Sequence, residues 1–265
     1  MTTTTTSRRA EALVSRLRSV AIAAALVYAG IVGVVAFGQR SLLYFPTRGE
    51  ASGGPLAPWM AGADVWGACR EVAQPSAVWL VTHGNAGRAA QRGYVLDVLP
   101  ADAAVYVLEY PGFGARSGTP SRASIDAAAE AAYRRVRELH PGVPVGVLGE
   151  SLGSGPAAQL ARAVPPPDAI VLATPYDALA DVAADAFPWL PVRLILQDDW
   201  DNGAALADYG GKLVILAAQH DDVIPIEHAR ALAAKLPGAE LHVLPCGHND
   251  WSRHVQAPLA PPALR

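Results

Sequence analysis

The chain reads as an α/β fold: a mostly parallel central sheet flanked by helices, with a small cap and one transmembrane helix ahead of it. Three observations predict this. Short apolar runs alternate with segments of helical periodicity, the pattern of parallel strands buried on both faces. One of those runs, Val145–Gly149, feeds directly into a serine flanked by glycines and then a small-residue helix start. Ahead of them all, Ser19 to Gln39 carries no charge and is bracketed by Arg18 and Arg40.

In chain order, residues 1–18 are Thr-rich and then basic, and read as a disordered tail. Residues 19–39 would span about 30 Å as a helix, enough to cross a bilayer core. A cleaved signal peptide is the competing reading, but its apolar core would exceed the usual ~7–15 residues. A buried core helix is disfavoured because the stretch is apolar all round. The expectation is an uncleaved single-pass anchor, with residues 40–265 forming one domain. Arg8, Arg9, Arg16 and Arg18 precede the span while Arg40 and Arg48 follow it. The positive-inside tendency then puts the N-terminus in the cytoplasm and the domain outside it.

Gly49 to Ala63 is rich in Gly and Pro and reads as loop. Val65–Val72 reads as a hairpin strand, Ala77–Thr82 as a central one, Arg88–Leu99 as a helix, and Ala103–Glu109 as a buried strand. Ser121 after Pro120 is a candidate N-cap for a helix over Arg122–Leu139. Val145–Gly149 is a strand, Gly155–Val164 a helix stopped by three prolines, and Ala169–Ala173 a strand. Residues 175–209 contain no long strand and read as a cap of short helices. Lys212–Ala217, Ile226–Leu236 and Glu240–Leu244 complete strand, helix, strand. The Pro-rich end, Ala257–Arg265, leaves little room for a last helix.

Hydrophobic residues make up 51% and charged residues 17% of 265, enough apolar surface for a large core. The formal net charge is −3. Residues 1–40 are net basic, so the rest is more acidic than that total, which argues against a nucleic-acid partner. With only Cys69 and Cys246 there is no disulfide framework, and no Cys or His spacing suggests a metal. A Cys69–Cys246 bridge stays open. Tyr110-Pro111-Gly112-Phe113-Gly114 lacks the Gly-Lys-Ser/Thr of a phosphate loop, so nucleotide binding is not expected, and nucleophilic serine chemistry calls for no cofactor.

The chemistry concentrates in three loops. A serine on a sharp strand-to-helix turn, Gly149-Glu150-Ser151-Leu152-Gly153, projects its hydroxyl away from the sheet, and the helix start offers free N–H groups to a developing anion. Gln219-His220-Asp221-Asp222 and Cys246-Gly247-His248 each leave the C-terminal end of a strand, where open α/β sheets place their sites. Ser151 is the candidate nucleophile and needs a base to take its proton. His248, preceded by glycine in the last such loop, is the candidate base. Asp221 or Asp222 would orient it, or one of them caps the following helix.

These motifs together resemble the α/β-hydrolase-fold serine hydrolases. The likeness is greatest to their small membrane-anchored branch of alpha/beta-hydrolase-domain proteins, which includes depalmitoylases and esterases. Arg40-Ser41-Leu42-Leu43-Tyr44-Phe45-Pro46, His83-Gly84-Asn85-Ala86-Gly87, Glu109 to Gly114 with Ser117-Gly118, and Pro188-Trp189-Leu190-Pro191 with Trp200-Asp201-Asn202 carry it. The resemblance implies Ser151, Asp221 and His248 as a catalytic triad, favouring Asp221 over Asp222 because Val-Ile follows one residue later. It implies the backbone amides of Asn85 and Leu152 as oxyanion donors. It also implies hydrolysis of a carboxylic ester or thioester through an acyl-enzyme. A small-molecule or lipid-like acyl substrate and a membrane, through the N-terminal helix, are the expected partners. A silent tethered scaffold, a peptidase or an acyltransferase are the competing readings. Phe187, Trp189, Leu190 and Trp200 would line an acyl pocket or simply pack the cap.

Overall fold

The computed structural model describes residues 3–49 and 54–260 of the chain. Its first element is one helix, α1 (Thr3–Leu43), of 41 residues. Thr3 to Arg18, expected as a disordered tail, are thus helical; Met1 and Thr2 lie outside the described residues. The reason is local: no Gly or Pro occurs in α1 before Gly30, and Ala, Leu, Arg and Glu are strong helix formers. This helix is long and apolar enough to cross a membrane.

The remaining elements alternate. A hairpin, β1 (Ala57–Ala61) and β2 (Asp64–Arg70), leads to β3 (Val78–Thr82), the short α2 (Val95–Val98), β4 (Ala104–Leu108), α3 (Arg122–Leu139) and β5 (Val145–Glu150). Then follow α4 (Ser154–Gln159), β6 (Ala169–Ala173), three short helices α5 (Leu179–Ala186), α6 (Val192–Ile195) and α7 (Asn202–Leu206), β7 (Lys212–Ala218), α8 (Ile226–Lys235) and β8 (Glu240–Leu244). The strands form one eight-stranded sheet in the order β1-β2-β4-β3-β5-β6-β7-β8. Pairings from β4 to β8 are parallel, while β1–β2 and β2–β4 are antiparallel.

Alternate side chains of each strand point to opposite faces, so the sheet divides the core in two. Val78, Leu80, Tyr106, Val147 and Ile170 pack on one face, with Ile125, Tyr133 and Val136 of α3. Trp79, Val81, Val105, Leu148 and Val171 pack on the other, with Val95 and Val98 of α2 and with Trp251. Burial on both faces is why β3, β4 and β6 read as unbroken apolar runs rather than alternating ones.

Three expectations change. β1 lies within the segment read as loop. Its Pro58 sits on an edge strand, where a missing N–H is tolerated, and its Trp59 is buried edge-on against Tyr106, centroids 4.9 Å apart. The helix expected over 88–99 is two pieces, a 3₁₀ turn at Ala89–Gln91 and α2. Gly93 separates them, and the Ala89 amide is held by the Glu109 carboxylate at 3.1 Å rather than by a helical carbonyl. Likewise Gly155–Val164 shortens to α4 and a 3₁₀ turn at Leu160–Arg162. After β8 the described chain makes only a 3₁₀ turn, Trp251–His254; Pro261 to Arg265 lie outside the described residues.

Because β3, β5, β7 and β8 run parallel, the loops leaving their C-terminal ends open on one edge of the sheet. Those loops carry His83 to Gly87, Ser151, Asp221 and His248.

Candidate active site

β5 ends at Glu150, and the chain turns at once into a 3₁₀ turn, Ser151–Gly153, continuous with α4. Ser151 makes the turn with φ +51°. A non-glycine residue in that left-handed region costs about 1–2 kcal/mol, so the surrounding structure must hold it there. Both flanking glycines are needed. A Cβ on Gly149 would lie 2.5 Å from the Ala157 Cβ of α4, and one on Gly153 would overlap the Thr82 carbonyl at the end of β3. The Thr82 hydroxyl donates to the Gly153 carbonyl at 2.8 Å, tying the turn to the neighbouring strand.

The loops after β7 and β8 are tied together by their backbones. The Gln219 amide donates to the Leu244 carbonyl at 2.8 Å and the His220 amide to that of Cys246 at 2.9 Å. This brings Asp221 to His248, whose Nδ1 lies 2.8 Å from Oδ2 and 2.9 Å from Oδ1 of Asp221. The other ring nitrogen, Nε2, lies 2.8 Å from Ser151 Oγ. With Nδ1–H donated to the carboxylate, neutral Nε2 is an acceptor facing the serine hydroxyl, the arrangement a general base requires. Asp222 is exposed. Asp221 also accepts from the Val223 and Ile224 amides at 2.9 and 2.8 Å. One carboxylate therefore makes both the contact to histidine and the turn into α8.

Leu152 sits in the first turn of a helix, where its amide has no intrahelical acceptor. Opposite, the loop after β3 reaches Ser151: a Cβ on Gly84 would be 3.3 Å from that of Ser151. The Asn85 side chain holds this loop to the end of α1, donating to the Leu43 carbonyl and accepting from the Phe45 amide at 3.1 Å. The Gly87 amide donates to Thr47 Oγ1 at 2.9 Å, and Arg92 donates to the Ala86 carbonyl at 2.7 Å. His83 is buried, with Nδ1 donating to the Gly84 carbonyl at 2.7 Å and Nε2 3.3 Å from Glu109.

Glu150 is a buried carboxylate beside the serine, a placement the sequence does not signal. It accepts from the Tyr94 hydroxyl at 2.5 Å and from Trp251 Nε1 at 3.3 Å. Burial and then Glu150 push the Tyr94 hydroxyl well up, so it remains a donor. Burial opposes the Arg92 charge, yet the nearby Glu150 leaves its pKa raised. A second group ties α8 to the loop after β6. Asp177 accepts from His228 Nδ1 at 2.9 Å and from Lys235 at 3.0 Å. The sequence signals for these groups are weak, because their partners lie tens of residues away.

Trp200 is fully buried in the main core, where its Nε1 donates to Asp126 of α3 at 2.8 Å and its ring lies against Gly155 of α4, so it seats the segment 175–209 on the domain rather than lining a pocket. Phe187 and Trp189 are instead half exposed on its outer side. Cys69 and Cys246 are free and buried. Among the described residues, no group of three or more His, Cys, Asp or Glu is arranged to hold a metal ion.

A family model described as the alpha/beta hydrolase fold matches residues 80–199. A Mycobacterium tuberculosis protein named only as uncharacterized is 32% identical over 244 residues, covering 85% of this chain and 86% of its own length. Lysophosphatidylserine lipase ABHD12 of Danio rerio is 25% identical over 203 residues, 67% of this chain but 53% of that protein. Among solved structures, the Pyrococcus furiosus esterase Pf2001 superposes with TM-score 0.63 at 16% identity, covering 80% of this chain and 91% of that one; this is a likeness of fold. The sheet order, the turn at Ser151 and these matches lead to one statement: the chain belongs to the alpha/beta hydrolase fold family.

Proposed function

We propose that the protein is a serine hydrolase that cleaves a carboxylic ester or thioester through an acyl-enzyme, acting on acyl-chain or lipid-like substrates near a membrane. The observation that carries this is the unbroken hydrogen-bonded path from Ser151 Oγ through His248 to Asp221. Ser151 Oγ attacks the substrate carbonyl carbon while its proton passes to His248 Nε2. The oxyanion that forms takes hydrogen bonds from the Asn85 and Leu152 amides, a contribution typically of several kcal/mol. The tetrahedral intermediate expels an alcohol or thiol, which takes the proton back from the imidazolium. Water then attacks the acyl-serine with His248 as base, releasing the carboxylic acid and restoring Ser151. Asp221 holds the ring in the correct tautomer and stabilises its charged form.

The relatives support ester chemistry: one is named a lysophosphatidylserine lipase and one solved neighbour an esterase. The membrane part of the reading rests on α1 and its charge-free stretch from Ser19 to Gln39, which would anchor the enzyme by a single pass. The excess of arginines ahead of that stretch is what supports an extracytoplasmic catalytic domain in this reading.

The test is labelling of the full-length, detergent-solubilised protein with a fluorophosphonate probe, followed by a panel of acyl esters, thioesters and peptide amides. Labelling of wild type and its loss in Ser151→Ala are expected, with turnover of esters or thioesters. A folded wild type that does not label would favour a tethered scaffold instead. Turnover confined to amides would make it a peptidase.

A further inference from the structure

The charge-free stretch of α1 contains three polar side chains, Ser19, Tyr28 and Gln39. Ser19 bonds back to its own helix, donating to the Ser15 carbonyl at 3.1 Å. The other two both reach the backbone of the cap. The Tyr28 hydroxyl donates to the Trp189 carbonyl at 2.8 Å. Gln39 donates to the Ile195 carbonyl at 2.9 Å and accepts from the Gln197 amide at 2.8 Å. Just below, Arg40 grips Asp198 with two bonds, 2.8 and 3.2 Å, and the Tyr44 hydroxyl donates to the same carboxylate at 3.1 Å.

These contacts fix a height along the helix. Tyr28 is twelve residues above Arg40, or about 18 Å at 1.5 Å per residue. The cap segment from Asp198 back to Trp189 therefore climbs alongside the apolar part of α1, to a level roughly midway between Arg18 and Arg40. What it shows there is apolar. Phe187 is 49%, Trp189 54% and Leu194 87% exposed, beside Val34 and Phe37 of the helix at 74% and 95%. Between residues 186 and 197 the one charged side chain is Arg193, which pairs with Asp181 at 2.8 Å.

Irregular backbone can enter hydrocarbon only if its polar groups are satisfied within the protein. At this tip Pro188 and Pro191 bring no N–H, the Leu190 amide donates to the Phe187 carbonyl at 3.0 Å, and Tyr28 covers the Trp189 carbonyl. We infer that the cap tip, Phe187 to Ile195, is immersed in the acyl-chain zone of the bilayer beside the anchor rather than standing in water. The inference rests on the reading of α1 as a membrane span. It makes the cap part of the membrane-facing surface of the enzyme.

The experiment uses full-length protein in phosphatidylcholine vesicles whose acyl chains carry bromine, a short-range fluorescence quencher. The Trp189 signal is the difference between wild type and Trp189→Phe. A reporter for the anchor is Val34→Trp in the Trp189→Phe background. Immersion predicts that both reporters lose more than half their emission in brominated vesicles and resist aqueous acrylamide. Quenching of the residue-34 reporter, with Trp189 open to acrylamide and untouched by bromine, would overturn the inference while leaving the anchor in place. Quenching of neither would overturn both.

Discussion

The Asn85 side chain donates to the carbonyl of Leu43, the last residue of α1, and accepts from the amide of Phe45 just beyond it. One side chain thus fastens the loop that faces Ser151 to the end of the long N-terminal helix. Asn85→Ala keeps the backbone amide proposed as an oxyanion donor but releases the loop. Misplacement on the scale of 1 Å can cost about a hundredfold in rate. We expect a ten- to hundredfold fall in kcat/KM on a soluble ester, carried mainly by kcat, in steady-state kinetics.

Asp221 and Asp222 are adjacent in sequence, and only Asp221 touches His248. Asp221→Asn should lower kcat by about four orders of magnitude, the scale of tautomer loss in known serine triads, while Asp222→Asn changes it less than about threefold. Steady-state assays of both variants decide this, and the reverse order would transfer the orienting role to Asp222.

The strain at Ser151 predicts an asymmetry between two inactive variants. Ser151→Ala and Ser151→Gly both lose the hydroxyl and should both fail to label with a fluorophosphonate. Glycine adopts φ +51° at no steric cost, so Ser151→Gly should be the more stable by about 1 kcal/mol. That corresponds to roughly 2–4 °C in Tm for a chain of this size, measured by thermal denaturation in matched detergent.

Asp177 predicts how stability follows pH. Burial alone would raise its pKa, but hydrogen bonds from His228 and Lys235 hold the carboxyl below its ordinary value. A depressed carboxyl stabilises the fold at pH values above its unfolded pKa, near 3.9, and that contribution disappears as pH falls through the folded value. Asp177→Asn should therefore cost about 1–3 kcal/mol at neutral pH. The gap to wild type should close in acid below the ordinary carboxyl range, as read from denaturant unfolding at a series of pH values.

Cys246 is expected to be inert. Burial, and then the nearby Asp250 and Asp221, push its thiol up to about 11, so almost no thiolate exists at neutral pH. Iodoacetamide should label neither cysteine in the native protein and both after unfolding, as counted by mass spectrometry. A Cys69–Cys246 bridge is ruled out by topology. β2 and the end of β8 stand six strand positions apart, roughly 29 Å at 4.8 Å per step, against about 7 Å for a disulfide.

Much of this was legible because its signals are local. α3 begins after a serine whose side chain accepts from the Ser124 amide at 3.1 Å, with Ser124 returning the bond to the Ser121 amide. Ser121 was readable as a cap from its place after Pro120 alone. β6 and β8 fall where their apolar runs fall. β1 was hidden because its Gly- and Pro-rich surroundings read as loop, and its pairing with β2 is a tertiary fact. The break at Gly93 is not legible in the sequence because helical periodicity continues across it. Glu150, Glu109 and Asp177 could not be given partners, since Trp251, His83 and Lys235 are remote in the chain.

The amino-acid order by itself determined the α/β class, the succession of strands and helices, the turn on which Ser151 sits, and the apolar character of residues 19–39. These depend on side-chain period, glycine placement and hydropathy, which act over a few neighbouring residues. Residue spacing left Asp221 and Asp222 open and the family resemblance favoured Asp221; tertiary structure shows that Asp221 meets His248, and it alone decided that the Asn85 loop hangs from the end of α1 and that the segment around Trp189 climbs that helix as far as Tyr28. Each is a hydrogen bond between groups that approach only when the sheet has ordered its strands and set their loops on one edge.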